Sequence, residues 1–175
     1  MATKKFTVDI LSKSSVDKLK KELEAYRNDL PRKCQLIAQR LAELGVEYAK
    51  ANVVNLDAVF TAELYRSIHS EQIEVTKEKA VFAVVANSDH AVFVEFGTGI
   101  VGKESPYPYP FPQDVSWQYA SGKTIRQLAD GRYGWFYERD GQWYFTEGMP
   151  SRPFMYMAGQ DLMKQVTQIV KEVFA

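Results

Sequence analysis

The chain has 175 residues, of which 46% are hydrophobic and 25% are charged. This length and this composition are typical of one folded domain with its own apolar core. Lysine plus arginine and aspartate plus glutamate each number 22, so no net charge attracts the chain to nucleic acid or to a membrane. We therefore expect a single domain over residues 1–175, with no membrane partner and no sequence-specific nucleic acid.

The charges are uneven along the chain: residues 1–40 carry ten basic and five acidic side chains, and residues 41–100 carry four and nine. This asymmetry favours contacts between basic and acidic regions of different copies, although it also marks solvated faces. Cys34 is the single cysteine, which excludes an internal disulfide and favours a reducing cytoplasm. Its place on the apolar side of a helical pattern predicts a buried, inert thiol.

The first third of the chain has a helical pattern. Residues 6–10 alternate apolar and polar side chains and predict a short strand or an arm within residues 1–13. Apolar steps of three and four then predict two helices, or one helix kinked at Pro31, ending near Asn52. A coiled coil fits the same spacing, but its flanking positions show no clear charge code along this stripe. The apolar positions are Val16, Leu19, Leu23, Tyr26, Leu30, Cys34, Ile37, Leu41, Leu44 and Tyr48.

The rest of the chain predicts strands and a final helix. Residues 68–75, 80–86 and 92–96 are strand-like, and 80–86 has the continuous apolar character of a central strand. The YPYPFP run of 107–112 excludes helix and favours extended backbone. An amphipathic stripe over 154–173 predicts a C-terminal helix. The turn Asp140-Gly141 between aromatic segments predicts a hairpin, with the cross-strand pairs Glu138–Trp143, Tyr137–Tyr144 and Phe136–Phe145.

Aromatic residues are concentrated in one region. Fourteen of the 23, including all three Trp, lie between Tyr107 and Tyr156. Core packing, a protein interface and stacking of a ligand each explain such a belt, and all three interpretations remain open. Because the predicted hairpin has aromatic residues on both faces, we expect one face to meet the core and the other to meet another chain. The candidate interface residues are Trp135, Tyr137, Trp143 and Tyr144.

The stretch from Gly97 to Lys103 contains a G-x-G-x-x-G and nearly forms a P-loop, G-x-x-x-x-G-K. Both motifs need a helix that opens at the glycines and meets the phosphates with its N-terminus. The four prolines that follow predict that no helix starts here, and Glu104 stands where a P-loop needs Ser or Thr. We therefore expect no nucleotide and no other cofactor, and we interpret Gly97 and Gly99 as turn residues with positive φ.

No other motif predicts catalysis. His69 and His90 are the only histidines, with no metal-ligand spacing, and no G-x-S-x-G nucleophile turn is present. Glu95 lies between apolar residues, where a carboxylate is more often paired with an arginine than free for acid–base chemistry. We therefore predict that Glu95 pairs with Arg152 or Arg66, and that the protein is not an enzyme.

Three stretches together resemble a known family: AKANVVNLDAVFTAELYRSI (49–68), HAVFVEFGTG (90–99) and GMPSRPFMYMAGQDL (148–162). The second is similar to a family stretch Y-A-x-x-V-E-F-G-T-G, and the third to an R-P-F start of a C-terminal helix. In this order they resemble the minor tail-component family of long-tailed bacteriophages, whose members are head–tail joining or tail-completion proteins. The motif residues are Glu95, Phe96, Gly97, Thr98, Gly99, Arg152, Pro153 and Phe154.

The sequence also departs from this family pattern. A proline expected around residues 53–54 is absent, Ala62 stands where glycine is usual, and His90 replaces a tyrosine. Residues 103–147, with the proline-rich segment and the hairpin, look like an insertion longer than the family's usual loop. These differences affect the exact position that the resemblance implies within the phage neck.

The resemblance implies an α+β fold. In it, a small, mainly antiparallel sheet is packed by a long N-terminal helical segment and a C-terminal helix, with an inserted aromatic β-hairpin. It implies a virion protein of the neck or tail that joins the head connector to the tail tube or completes the tail, acting by ring-like homo-oligomerisation. Its partners are then itself and other phage neck and tail proteins, with assembly in the host cytoplasm. The alternative is a non-catalytic module whose aromatic belt, residues 107–156, binds carbohydrate or nucleic acid.

Overall fold

The computed structural model describes residues 5–58, 62–119 and 125–175. The chain is α+β, as predicted. The helices are α1 (Lys13–Asn55), α2 (Ala62–Ser67), α3 (Ala91–Phe96), α4 (Gly99–Glu104) and α5 (Phe154–Phe174). The strands are β1 (Ile68–Val75), β2 (Ala80–Ala86), β3 (Arg126–Gln127), β4 (Tyr133–Arg139), β5 (Gln142–Thr146) and β6 (Gly148–Met149).

The contacts within the chain define two compact units. Each unit is assembled from segments that are distant in the sequence, because α1 and α5 each contribute residues to both. The first unit comprises Met1–Glu47, His69–Val85 and Gln160–Ala175, and the second comprises Tyr48–Ile68 and Ala86–Gly159.

Helix α1 continues through Pro31 as one helix of 43 residues. A proline inside a helix removes one backbone hydrogen bond, and this cost led to the prediction of two helices or of one helix kinked at Pro31. The apolar stripe continues on both sides of the proline, and the Asp29–Arg32 ion pair, at 2.7 Å, spans it. Of the two predictions, that of two helices is wrong, and the single helix ends at Asn55, three residues beyond the predicted end.

Residues 5–12, the described residues before α1, form no strand. The Asp9 N–H donates to Ser15 Oγ at 2.9 Å, and Phe6 packs edge-on against Tyr26, with ring centroids 6.4 Å apart. Such local side-chain bonds compete with strand pairing, so the prediction of a strand at 6–10 is wrong, while an arm over residues 1–13 stays a prediction. Cys34, predicted to be buried, is exposed, because the apolar stripe of α1 is only partly covered around it.

In the first unit, β1 and β2 form a two-stranded hairpin closed by a bond from the Thr76 N–H to the Lys79 carbonyl, at 2.7 Å. Both strands were predicted. However, every residue of β2 is half-buried, so this strand is not the fully buried central strand that its apolar sequence predicted. Gly45 of α1 lets the sheet approach closely, since a Cβ there would lie 2.9 Å from Val84 Cγ2 and 3.4 Å from Leu162 Cδ2.

In the second unit, the sheet has the order β3-β4-β5. The β4–β5 hairpin has the predicted register, including the pairs Phe136–Phe145 and Tyr137–Tyr144. Its turn residue Asp140 has a φ of 51°, as a two-residue turn of this kind requires.

Residues 92–96, predicted as a strand, are helical and belong to α3. Ala91, Val94 and Glu95 are buried at positions i, i+3 and i+4, which is the spacing of one helix face. The alternation of Val94 and Phe96 about Glu95 was the misleading signal, because so short a segment fits the helical and the strand period alike. Phe154 and Val53, both with no exposed surface, lie at the centre of this unit's core.

Candidate functional site

The VEFGTG motif begins where α3 ends at Gly97. Gly97 has a φ of 79°, and its N–H donates to the Phe93 carbonyl at 2.8 Å, closing the helix. The chain segment before α5 passes close by, and a Cβ on Gly97 would lie 2.6 Å from the backbone nitrogen of Ser151. Glycine is therefore required here both for its backbone conformation and for the close approach of a second segment.

The next residues of the motif bridge to strand β6. Thr98 pairs with Met149 and Gly99 pairs with Gly148 as isolated antiparallel bridges. A Cβ on either glycine would overlap the facing backbone, so the two segments meet at the smallest separation that backbones allow. The Thr98 hydroxyl is buried and has no hydrogen-bond partner within the described parts of the chain.

The prediction that no helix starts at the glycines is wrong, because α4 begins at Gly99. It has six residues and ends at Glu104, ahead of the prolines. Its first-turn N–H groups are already engaged: Gly99 donates to the Tyr119 carbonyl, and Ile100 donates to the Glu147 carbonyl at 2.8 Å. The backbone N–H groups that would bind a phosphate at this helix start thus already donate to carbonyls of the chain, and the glycines allow two backbone segments to pack closely.

Glu95 caps helix α5 from a distant part of the sequence. Its Oε2 accepts the Met155 N–H at 2.9 Å, and its Oε1 accepts the Tyr156 N–H at 3.1 Å. These N–H groups lie in the first turn of α5, where no partner exists within the helix. The predicted arginine partner is therefore wrong: the positive end of a helix takes the place of a guanidinium.

The Glu95 side chain is buried, with 7% of its surface exposed. Burial raises the pKa of the Glu95 carboxyl above its ordinary value, and the hydrogen bonds from Met155 and Tyr156 oppose that rise. The backbone around it is also bonded, since the Glu95 carbonyl accepts the Ser151 hydroxyl at 2.6 Å. Both carboxylate oxygens thus have a structural partner, and the geometry presents Glu95 as a clamp on the start of α5.

The R-P-F motif joins the start of α5 to the end of α1. Arg152 Nε donates to the Leu56 carbonyl at 3.0 Å, just past the end of α1, where helix carbonyls have no partner of their own. Asn52 Nδ2 donates to the Phe154 carbonyl at 3.1 Å. Pro153 is buried between Arg152 and Phe154. Arg66, the other predicted partner of Glu95, is exposed on α2.

An aromatic cluster packs beside this junction. Phe96 contacts Tyr107, Phe111 and Trp117, with centroid distances of 4.9, 5.4 and 5.3 Å. The Trp117 indole N–H donates to the Gly97 carbonyl at 3.0 Å, which ties the cluster to the glycine turn. Burial raises the pKa of Tyr107 to about 12, with a further contribution from the Glu95 charge.

The hairpin part of the aromatic belt is different, because it remains exposed. Trp143 is 67% exposed and Phe136 is 53% exposed, and the two lie on one face. The other face carries the stacked pair Tyr137–Tyr144, with ring centroids 5.7 Å apart. Of the four candidate interface residues, Trp143 and Tyr144 are exposed and Trp135 and Tyr137 are half-buried.

The structure thus joins the two halves of the predicted motif, residues 95–99 and 152–154, at one place. Several residues that complete this junction were not predicted. Gly148 carried a usable signal, as a glycine four residues before Arg152, but the carbonyls of Tyr119 and Glu147 act through their backbone and leave no signal in the sequence. The other residues missed were Asn52, Leu56, Trp117 and Ser151.

Comparison with known proteins agrees with this motif. Residues 17–97 match the sequence model of a family described as "Bacteriophage HK97-gp10, putative tail-component". The match contains the stretch 49–68 and ends at Gly97, so the third stretch, 148–162, lies outside it. The searches of curated proteins and of solved structures gave no match.

Within the described ranges, no helix is both long enough and apolar enough to cross a bilayer. The same ranges contain no group of three or more His, Cys, Asp or Glu side chains arranged to hold a metal ion. The resemblance to a phage tail-component family is confirmed over residues 17–97, the part of the chain that matches the model of that family.

Proposed function

We propose that the protein is a structural component of the phage neck or tail that joins the head connector to the tail tube or completes the tail. It acts through contacts with copies of itself and with other neck and tail proteins, and not as an enzyme. The family match supports a structural tail role. Under this proposal the protein resides in the virion and is assembled in the host cytoplasm.

The observation that carries the proposal is the exposed aromatic surface of the β4–β5 hairpin. Phe136, Trp143 and Tyr144 are each more than 40% exposed. Trp and Tyr are enriched in protein interfaces, because they bury a large area at a small cost in side-chain entropy. We define Phe136 and Trp143 as the hairpin patch. Its neighbour Phe145 is partly covered by Arg132, whose guanidinium lies 4.8 Å from the ring centroid.

A ring follows if the hairpin patch of one copy docks on a different surface of the next copy. A contact between two different surfaces repeats from one copy to the next. The copies form a closed ring when a whole number of these rotations between neighbours makes a full turn. The junction around Glu95 would hold the hairpin's root, since Gly148 and Met149 follow β5 directly and bridge to the glycine turn. The hairpin would thus be an arm on a fixed base.

The test combines an assembly assay with a phage assay. Phe136→Ser with Trp143→Ser should leave the protein folded but lower its average mass in multi-angle light scattering. Met163→Ser is the matched control, because Met163 on α5 is 71% exposed and lies outside the hairpin. In the phage that encodes the protein, loss of the gene should leave heads and tails unjoined, or tails incomplete, in electron micrographs.

Two results would refute the proposal. One is unchanged assembly of the hairpin variant in solution together with normal virions from phage that carry it. The other is purified virions that lack the protein altogether. The alternative, a binding module for carbohydrate or nucleic acid, has the stacked Tyr137–Tyr144 pair in its favour. It predicts a change in Trp fluorescence when an oligosaccharide or a single-stranded oligonucleotide is added to the isolated protein.

A further inference from the structure

The first turns of α1 have an apolar stripe that the other described residues leave largely uncovered. Val16 is 42% exposed and Leu23 is 45% exposed, although both lie within a regular helix. A groove of about 340 Å³ runs along this side of the helix, lined by Val16, Leu19, Lys20, Leu23, Glu24 and Arg27. Apolar side chains on a helix face normally pack against another element, so this face has the character of a contact surface.

The spacing of the stripe is that of a coiled coil. Val16, Leu23 and Leu30 follow one another at seven residues, with Leu19 and Tyr26 between them, so the two sets occupy heptad positions a and d. Phe6 of the arm packs against Tyr26, which leaves the stretch from Val16 to Leu23 as the most open section. Of the three a positions, Val16 is β-branched, the type that favours two strands when leucine stands at d, whereas Leu23 and Leu30 add no such preference.

The charges on either side of the stripe specify the direction of pairing. No charge code is visible along α1 as a whole, but residues 13–30, which we term the open segment of α1, do contain such a code. The e positions hold Lys20 and Arg27, and the g positions hold Glu22 and Asp29. In a parallel pair, a g position of one helix lies beside the e position that is five residues further along the other helix. Glu22 of one copy therefore lies beside Arg27 of the other. In an antiparallel pair, e meets e and g meets g, which sets like charges together.

We infer that the open segment of α1 pairs in parallel and in register with the same segment of a second copy of this chain. The second copy is the partner because its own acidic g positions match the basic e positions that line the groove. A two-fold contact joins copies in pairs and closes no ring by itself. The inference thus adds a second self-contact to the proposed function and does not depend on the hairpin patch.

The test uses the full chain and two single substitutions. Arg27→Glu places an acidic side chain opposite Glu22 of the other copy, and Glu22→Lys places a basic side chain opposite Arg27 of the other copy. Each should weaken self-association at least ~10-fold in analytical ultracentrifugation at low salt, where surface charges are least screened. An equal mixture of the two variants should restore wild-type association, because every pair between positions 22 and 27 in the mixed dimer is then attractive.

Lys21→Glu is the matched control, since position 21 is an f position on the opposite side of the helix and should leave association unchanged. Circular dichroism should show the same helix content in all variants. If Arg27→Glu and Glu22→Lys associate as the wild type does, or if their mixture fails to restore association, the inference is wrong.

A crosslinking experiment gives an independent test. In a Cys34→Ser background, which removes the exposed native thiol, Leu19→Cys should form an intermolecular disulfide, because identical d positions face each other only in a parallel pair. Lys21→Cys should form no intermolecular disulfide under the same oxidation. A monomeric wild type together with no Leu19→Cys crosslink would overturn the inference, whatever the hairpin variants show.

Discussion

Replacement of Glu95 by glutamine tests the junction between the glycine turn and α5. The Gln side chain has nearly the same shape but keeps one acceptor oxygen, so either Met155 or Tyr156 loses the partner of its N–H. An unpaired buried donor costs about 1–3 kcal/mol. Loss of a negative charge at a helix N-terminus adds about 0.3–1 kcal/mol. Burial of the charge raises the pKa of Glu95, so relief of that charge offsets the loss of the helix-dipole contact, and the unpaired donor leaves a net loss of about 1–3 kcal/mol that is largest at low pH.

The assay is thermal and urea unfolding of wild type and Glu95→Gln. For a chain of this size each kcal/mol shifts the Tm by about 2–4 °C, so a decrease of about 2–12 °C is expected. Glu104→Gln is the control, because it removes the same charge from an exposed side chain and should change stability by less than about 0.5 kcal/mol.

The pH dependence of this difference provides a second check. Burial raises the pKa of Glu95 above its ordinary value of 4.5, so the native state holds the proton more tightly than the unfolded state does. The resulting stabilisation is fully present below the unfolded pKa and is lost as the pH rises through the folded pKa. The stability gap between wild type and Glu95→Gln should therefore narrow as the pH rises above about 4.5.

Two outcomes would refute this reasoning. Equal stability of wild type and Glu95→Gln at every pH would show that the two N–H bonds contribute nothing. A gap that widens with rising pH would show that those bonds outweigh burial, and that the pKa of Glu95 is lowered.

Three further changes test other parts of the molecule. Gly99→Ala should destabilise the fold by about 3 kcal/mol or more, because the new Cβ overlaps the Glu147 carbonyl and alanine is strained at the positive φ of this position. Gly131→Ala should cost about 1–2 kcal/mol, because Gly131 also has a positive φ but faces open space. In urea unfolding, the stability of the wild type should fall between pH 10.0 and about 12, because burial raises the pKa of Tyr107 and the stabilisation is lost as that pKa is passed. Tyr107→Phe lacks the titrating hydroxyl, so its stability should fall less over the same range. Cys34 should react fully with a thiol reagent in the folded protein.

Each of these has a contradicting result. Equal destabilisation by the two glycine substitutions would show that the close backbone contact at Gly99 does not exist in solution. An unchanged pH profile for Tyr107→Phe would show that the ring is not buried as described. Reaction of Cys34 only after unfolding would restore the buried thiol that the helical pattern predicted.

The sequence predicted those helices and strands whose pattern lies within a short stretch of neighbouring residues. The β4–β5 register follows from the Asp140-Gly141 turn, because a two-residue turn leaves one pairing. The long helices follow from apolar stripes that repeat many times. The helix at residues 91–96 was missed because a segment of six residues, five of them apolar, contains too few repeats to separate a helical period from a strand period.

Some of the junction was predictable and some was not. The E-F-G-T-G and R-P-F stretches stood out together, but the actual partner of Glu95 is the backbone of Met155 and Tyr156. Backbone donors have no side-chain signature, so an arginine was the natural but wrong expectation. The exposure of Cys34 depends on how far α1 extends past its packing partners, which a helical pattern does not encode.

The clamp on α5 also bears on the order of events during synthesis. Glu95 emerges from the ribosome well before Met155 and Tyr156, whose backbone N–H groups donate to its carboxylate in the folded protein. Before α5 is synthesised, only water can hydrogen-bond to the Glu95 carboxylate beside the glycine turn. The second unit therefore stays unfolded at this turn while α1 forms. Nascent chains stalled before residue 154 should thus be digested by protease at the turn, while chains released at full length resist.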